Sequence, residues 1–364
     1  MKIIRKKSHQ ILSLFSEVAF MLENFIEILK KNHRSIAFAE GTDPRIIQAA
    51  CRLRDEGILT PILIGNPQIV DGAAIIAGCD VRGIEIIDPH KYEHLDVMVK
   101  VMVKVRNGKL TEEQARATLM QPHYFATMLL KTGYVDAHLC GAVYTTADTV
   151  RAALQLLKTA PGNTMVSSCF ILVKDDDMKC LADCGLNISY EDTLDKKGNV
   201  IRTASDKLAE VAHQTAITAK AFGMDPRVAF LSYSTKGSGH GPEVDLMRDA
   251  TYIFKKKYPE FPADGEMQYD CAVRPEVGQR KMPGSPVAGY ANTFIFPDIS
   301  AGNIGYKLCQ YSGGYYALGP ILQGLGGPMN DLSRGCNVEE VYLMSIITAA
   351  MGIFADKYVP EKSK

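Results

Sequence analysis

Residues 35–64 read SIAFAEGTDPRIIQAACRLRDEGILTPILI, and this stretch decides the fold class. Ser35–Ala39 is a short apolar run of strand type. Gly41-Thr42-Asp43-Pro44-Arg45 then turns the chain, with Asp43 suited to cap a helix and Pro44 to its first position, where a missing N–H costs nothing. The pattern predicts a helix over 45–56 that stops at Gly57, followed by a strand at Pro61–Ile64 and a second turn at Gly65-Asn66-Pro67. Strand, helix and strand in that order imply a βαβ unit and a parallel sheet.

Working outward, similar strand-to-loop-to-helix passages recur at 137–154, 165–173, 227–249 and 293–310. The expected class is α/β, with two three-layer domains built on largely parallel sheets. A helix over 204–222 carries an alanine-rich apolar face suited to packing on a sheet. The polar run YEDTLDKKGNVIR, 190–202, reads as an inserted loop or hairpin. Sheets of this class bind ligands beyond the carboxyl ends of their strands, so the loops that follow strands come first in the search for a site.

The chain's 364 residues are enough for two domains. Its 41 basic side chains balance 41 acidic ones, which argues against a nucleic-acid partner, since phosphate contacts require a basic excess. Nine cysteines are scattered without a Cys-x-x-Cys pair, as expected of reduced thiols in a cytoplasmic protein. The longest apolar run, 341–355, is shorter than the roughly 20 residues of a membrane-spanning helix and reads as a buried core helix. Residues 1–20 begin basic and continue as an interrupted apolar stretch, which reads as an extra helix or a loosely attached extension.

Several signatures are missing from the sequence. Neither G-x-G-x-x-G after a strand nor G-x-x-x-x-G-K-[ST] occurs, which demotes dinucleotide and Walker-type phosphate sites. GSGHG at 237–241 places its serine wrongly for a nucleophile elbow. No metal-ligand spacing is present.

Five long segments carry a family likeness: GAVYTTADTVRAALQLLKTAPGN (141–163), FLSYSTKGSGHGPEVD (230–245), DGEMQYDCAVRPEVG (264–278), SPVAGYANTFIFPDISAGNIGYKL (285–308) and GPILQGLGGPMNDLSRGCN (319–337). Together they resemble the phosphate acetyl/butyryl transferases, from about residue 21 to the C-terminus. The resemblance implies reversible acetyl transfer between acetyl-CoA and phosphate, giving acetyl phosphate and CoA, with a butyryl-specific enzyme or a non-catalytic regulatory relative as alternatives. It implies no metal and no required cofactor, coenzyme A being a substrate, and a homodimer without a nucleic-acid or membrane partner. It also implies a cleft between a discontinuous first domain (1–162 plus 319–364) and a second domain (163–318).

The chemistry needs a thiolate, a group to take the thiol proton, and donors for the oxyanion and the phosphate. By resemblance, Ser333 and Arg334 of LSRGC stabilise the transition state and bind acetyl phosphate. Seven residues after Ser333, where the family pattern has an aspartate, this chain has Glu340, the candidate base. Asn337 and Glu340 also have the spacing of a capping box for a helix over 338–355. Arg106 and Arg151 match substrate- or CoA-binding positions, although Tyr144 and Ala152 depart from the residues common around Arg151. Ser234, Thr235 and Lys236, in a loop after a strand, have the donors of an anion cradle or, equally, of helix caps. Asp298, Asn303 and Lys307 of FPDISAGNIGYK are expected to line the cleft or to cap and pack. Cys336 is a minor candidate nucleophile.

Overall fold

The computed structural model describes residues 16–358, with side chains for 22–354. The helix Ser16–Asn32 is the first described element, and most of the 1–20 extension lies outside the described residues. Two compact units are present.

The first unit comprises Leu22–Gly162 with the described residues from Leu325 onward. Its five-stranded sheet runs in the order Met329–Asp331, Ala137–Cys140, Ser35–Phe38, Thr60–Ile64, Glu85–Ile87. Every neighbouring pair is parallel. The opening stretch behaves as its residues dictate: Asp43 caps the helix Pro44–Asp55 by accepting from the Arg45 N–H, and Pro44 stands at the helix start. The central strands are buried almost throughout, which their unbroken apolar runs require. Helix Val338–Tyr358 packs against helix Pro44–Asp55 and strand Ala137–Cys140. Val341–Ile347 are all buried, so the longest apolar run is a core helix. Among the described residues, no helix is long and apolar enough to cross a membrane.

The second unit is carried by Asn163–Gly324. Its six strands lie in the order Ala263–Met267, Val228–Leu231, Thr293–Ile295, Asp177–Ala182, Ser167–Lys174, Tyr316–Gln323. The first three pairings are parallel and the last two antiparallel. That final pairing carries the unit on to Gly324 rather than ending it at 318: Tyr316–Gln323 is hydrogen-bonded along Ser167–Lys174 and belongs to this sheet. Helix Ala204–Ala221 buries Ala209, Ala212, Ala216 and Ala219, the face seen in the sequence. The 190–202 insertion contains a two-stranded hairpin, Thr193–Leu194 against Val200–Arg202.

Candidate active site

In the first unit, three adjacent parallel strands, Met329–Asp331, Ala137–Cys140 and Ser35–Phe38, end on the same edge. The loops that leave them are held together by two buried or half-buried charged groups. Glu40, 6% exposed, accepts at Oε1 from the N–H groups of Gly141 (2.8 Å), Val143 (3.2 Å) and Tyr144 (3.4 Å). Burial raises its carboxyl above the ordinary range, and those N–H groups oppose the shift. Arg45 donates from Nη1 to the carbonyls of Arg334 (2.8 Å) and Cys336 (3.0 Å) and from Nη2 to the carbonyl of Ala142 (2.8 Å).

Ser333 and Arg334 stand exposed on the turn so anchored. The Ser333 Oγ accepts only one bond among the described residues, from the Gly335 N–H at 3.2 Å. The Arg334 guanidinium has no ion-pair or hydrogen-bond partner among the described residues, which leaves its fork of donors available to an anion. Glu340 closes the capping box with Asn337: its Oε2 accepts from the Asn337 N–H (3.0 Å), and Asn337 Oδ1 accepts from the Glu340 N–H (2.9 Å). One carboxylate oxygen is thereby committed, while Oε1 has no partner among the described residues. Neighbouring Glu339 is taken up by Arg52 at 2.7 Å, whose guanidinium lies 3.5 Å from the Tyr342 ring centroid. Burial pushes the Cys336 thiol up to about 11, so it is protonated at neutral pH and a poor nucleophile.

Arg151 and Arg106, the other two candidate arginines of this unit, both act on Tyr124. Its phenol is pushed up by burial, and the charges of Arg151 and Arg106 both act against that shift. Arg106 follows helix Leu95–Val105 as its C-cap, with its Nε buried and without a hydrogen-bond partner among the described residues. Arg151, on helix Thr146–Leu156, is exposed and paired with Asp148 at 2.9 Å. Tyr144, a departure from the family pattern, packs its ring against His123 with centroids 4.2 Å apart.

In the second unit, the loop after Val228–Leu231 spends its hydroxyls on itself. Ser234, fully buried, donates to Glu266 Oε1 (2.9 Å) and accepts from the Gly239 N–H (3.0 Å). Thr235 accepts at Oγ1 from the Gln268 N–H (3.0 Å), and its own N–H donates to Ser238 Oγ (3.0 Å). The hydroxyls of Ser234 and Thr235 thus build the loop, and buried hydroxyls already satisfied by backbone and carboxylate have little left to offer a ligand. Lys236 is half-exposed and bridges to Asp264 at 3.0 Å. On helix Ile299–Tyr311, Asp298 is the N-cap, accepting from the Ala301 N–H at 2.9 Å. Asn303 donates to the Cys184 carbonyl at 3.0 Å, whereas Lys307 is exposed with its Nζ 5.5 Å from the Tyr306 ring centroid.

Reading the sequence passed over Glu40, Arg45 and Asp331. Glu40 and Arg45 do carry a signal, the charged residues of EGTDPR immediately after a strand, but their partners lie about 100 and 290 residues away. Among the described residues, no group of three or more His, Cys, Asp or Glu side chains is arranged to hold a metal ion.

This α/β unit presents a serine, an arginine with no side-chain partner among the described residues and a carboxylate from one turn and helix start, groups chemically suited to transfer reactions of an anionic substrate. The chain belongs to the phosphate acetyl/butaryl transferase family, whose model matches residues 20–349. It is 45% identical to the phosphate acetyltransferase of Bacillus subtilis (strain 168), over 87% of this chain and 94% of that one. A phosphotransacetylase structure from Streptococcus pyogenes superposes with a TM-score of 0.86 at 43% identity, covering 92% of this chain and 99% of that one. The EutD phosphotransacetylase from Staphylococcus aureus gives 0.83 at 41% identity, covering 92% and 98%.

Proposed function

We propose that this chain catalyses the reversible transfer of an acetyl group between acetyl-CoA and phosphate, giving acetyl phosphate and CoA. The observation that carries the reading is the turn Ser333–Arg334: an exposed hydroxyl beside a guanidinium without a partner among the described residues, on a backbone pinned at the carboxyl edge of a parallel sheet. Relatives at 41–45% identity over most of the chain, named phosphate acetyltransferase, support it.

In the direction of thioester synthesis, Glu340 Oε1 takes the proton of the CoA thiol, and the thiolate attacks the acetyl carbonyl of acetyl phosphate. The carbon–sulfur bond forms as the carbonyl electron pair moves onto oxygen; collapse of that oxyanion breaks the carbon–oxygen bond to phosphate, which leaves with the electron pair. Ser333 donates to the oxyanion, and Arg334 holds the phosphate oxygens with its rigid fork. Direct attack uses no acyl-enzyme, which fits a protonated, buried Cys336, and it calls on no metal. Arg151 and Arg106 supply positive charge for CoA or acetyl phosphate, and Lys307 is the one exposed cation of the matched FPDISAGNIGYK run.

We place the enzyme in the cytoplasm as a homodimer. Nine unpaired cysteines fit a reducing compartment, and light scattering should return about twice 39.9 kDa for the dimer.

The test is phosphate-dependent release of CoA from acetyl-, propionyl- and butyryl-CoA by the purified chain. A kcat/KM highest for acetyl-CoA is expected. A clear preference for butyryl-CoA moves the chain to butyryl transfer, and no turnover with any of the three overturns the reading.

A further inference from the structure

Arg45 and Arg334 divide a labour that the sequence alone does not suggest. A guanidinium has five N–H donors. All five of those of Arg45 are met by protein oxygens: Nε by Asp43 Oδ1 (3.0 Å), Nη2 by Asp43 Oδ2 (2.8 Å) and the Ala142 carbonyl (2.8 Å), and Nη1 by the carbonyls of Arg334 (2.8 Å) and Cys336 (3.0 Å). Nothing is left to offer a ligand. Arg334 is the reverse case, exposed and with no side-chain partner among the described residues.

We propose that Arg45 is a positioning residue for acetyl transfer: it fixes the backbone of the Ser333–Cys336 turn, and with it the direction in which Arg334 and Ser333 point. This rests on the acetyl-transfer reading above. The geometry supports it on three counts. The carbonyls that Arg45 holds belong to Arg334 itself and to Cys336, on either side of Gly335, so rotation of that turn would break both bonds. The same guanidinium is braced at its other edge by Asp43, the N-cap of helix Pro44–Asp55, so the anchor is tied to a rigid element. Its bond to Ala142 locks the loop after Ala137–Cys140 to the same point, where Glu40 already gathers three N–H groups. Lysine, with three donors and no planar fork, cannot serve four acceptor groups on three loops at once.

The experiment combines a double-mutant cycle with hydrogen exchange. Arg45→Gln is expected to lower kcat for acetyl transfer about 10- to 100-fold, the scale of a loss of positioning by about an ångström, with a smaller change in the KM for CoA. In the Arg334→Gln background the same change is expected to cost several-fold less than in wild type, because only Ser333 is left to aim. Arg45→Lys, which keeps the charge, is expected to fall between wild type and Arg45→Gln, and it stands in for the glutamine variant in the cycle if that variant does not fold. Amide exchange in the segment 332–337 is expected to speed up in either variant while strand Ser35–Phe38 stays protected. Equal losses in both backgrounds, or unchanged exchange at 332–337, would overturn the proposal. Wild type without acetyl transfer but with the exchange response would instead sink the acetyl-transfer reading and leave the anchoring intact, so the two failures are distinguishable.

Discussion

Glu340 stands at the third position of its helix, and its two oxygens have different employment. Oε2 closes the capping box on the Asn337 N–H, and Oε1 has no partner among the described residues. Glutamine can keep the cap, since its amide oxygen accepts the same bond, but it cannot take a thiol proton at neutral pH. Glu340→Gln should therefore leave the melting temperature within about 2 °C of wild type while lowering kcat about 10²- to 10⁴-fold; full turnover would remove Glu340 as the base. Ser333 is exposed and makes a single hydrogen bond through its hydroxyl, so Ser333→Ala should cost little stability and slow turnover by about 100- to 1000-fold, the usual loss of one oxyanion donor. Steady-state kinetics beside a thermal melt checks both. The capping box was legible in the spacing of Asn337 and Glu340 because its hydrogen bonds join residues three apart. The roles of Glu40 and Arg45 were not, because their partners come from other strands' loops and no local pattern announces them.

Between elements, the site depends on how closely the loop after Ala137–Cys140 lies against the end of Met329–Asp331. Gly141 has φ +107°, and a Cβ there would come within 2.3 Å of Asp331 Oδ1 and 2.5 Å of the Leu332 N. Gly141→Ala must then push the two loops apart as well as strain its own backbone, and a loss of at least about 2 kcal/mol in chemical denaturation is expected; an unchanged midpoint would contradict this packing. Asp331 accepts from the Thr146 hydroxyl at 2.6 Å, yet burial pushes its carboxyl up from 3.8 to about 6. Because the folded value is the higher one, the unfolded chain ionises first as pH rises. Below about 4 the group costs the fold nothing, and between about 4 and about 6 stability falls, by roughly 3 kcal/mol if the whole shift is felt. Asp331→Asn should remove that decline, so urea titrations of the two proteins at pH 4, 5, 6 and 7 should differ in slope across that window; parallel curves would contradict it. The same scale shows where reading a sequence stops. The loop Ser232–Gly237 has the donors of an anion cradle, and only the fold reveals that Glu266 and Gln268 already occupy Ser234 and Thr235.

Across the whole molecule, the βαβ reading of residues 35–64 extends to a five-stranded parallel sheet, since turn and cap residues set element boundaries locally: the helix expected at 45–56 is Pro44–Asp55, and the strand expected at 61–64 is Thr60–Ile64. The position of Tyr316–Gln323 was beyond such rules. Which sheet a strand joins is a question of partner, and the antiparallel pairing with Ser167–Lys174 answers it. Overall charge also says little about local placement: 41 basic and 41 acidic side chains cancel, while the exposed Arg334 has no side-chain partner among the described residues. The most direct test of the central claim, acetyl transfer at the Ser333–Arg334 turn, is acetyl-CoA formation from acetyl phosphate and CoA by wild type and Arg334→Gln side by side, with melting temperatures recorded. Turnover by wild type and a loss of at least about 100-fold in the variant at an unchanged melting temperature are expected. An inactive wild type, or an Arg334→Gln variant that turns over as wild type does, would contradict it.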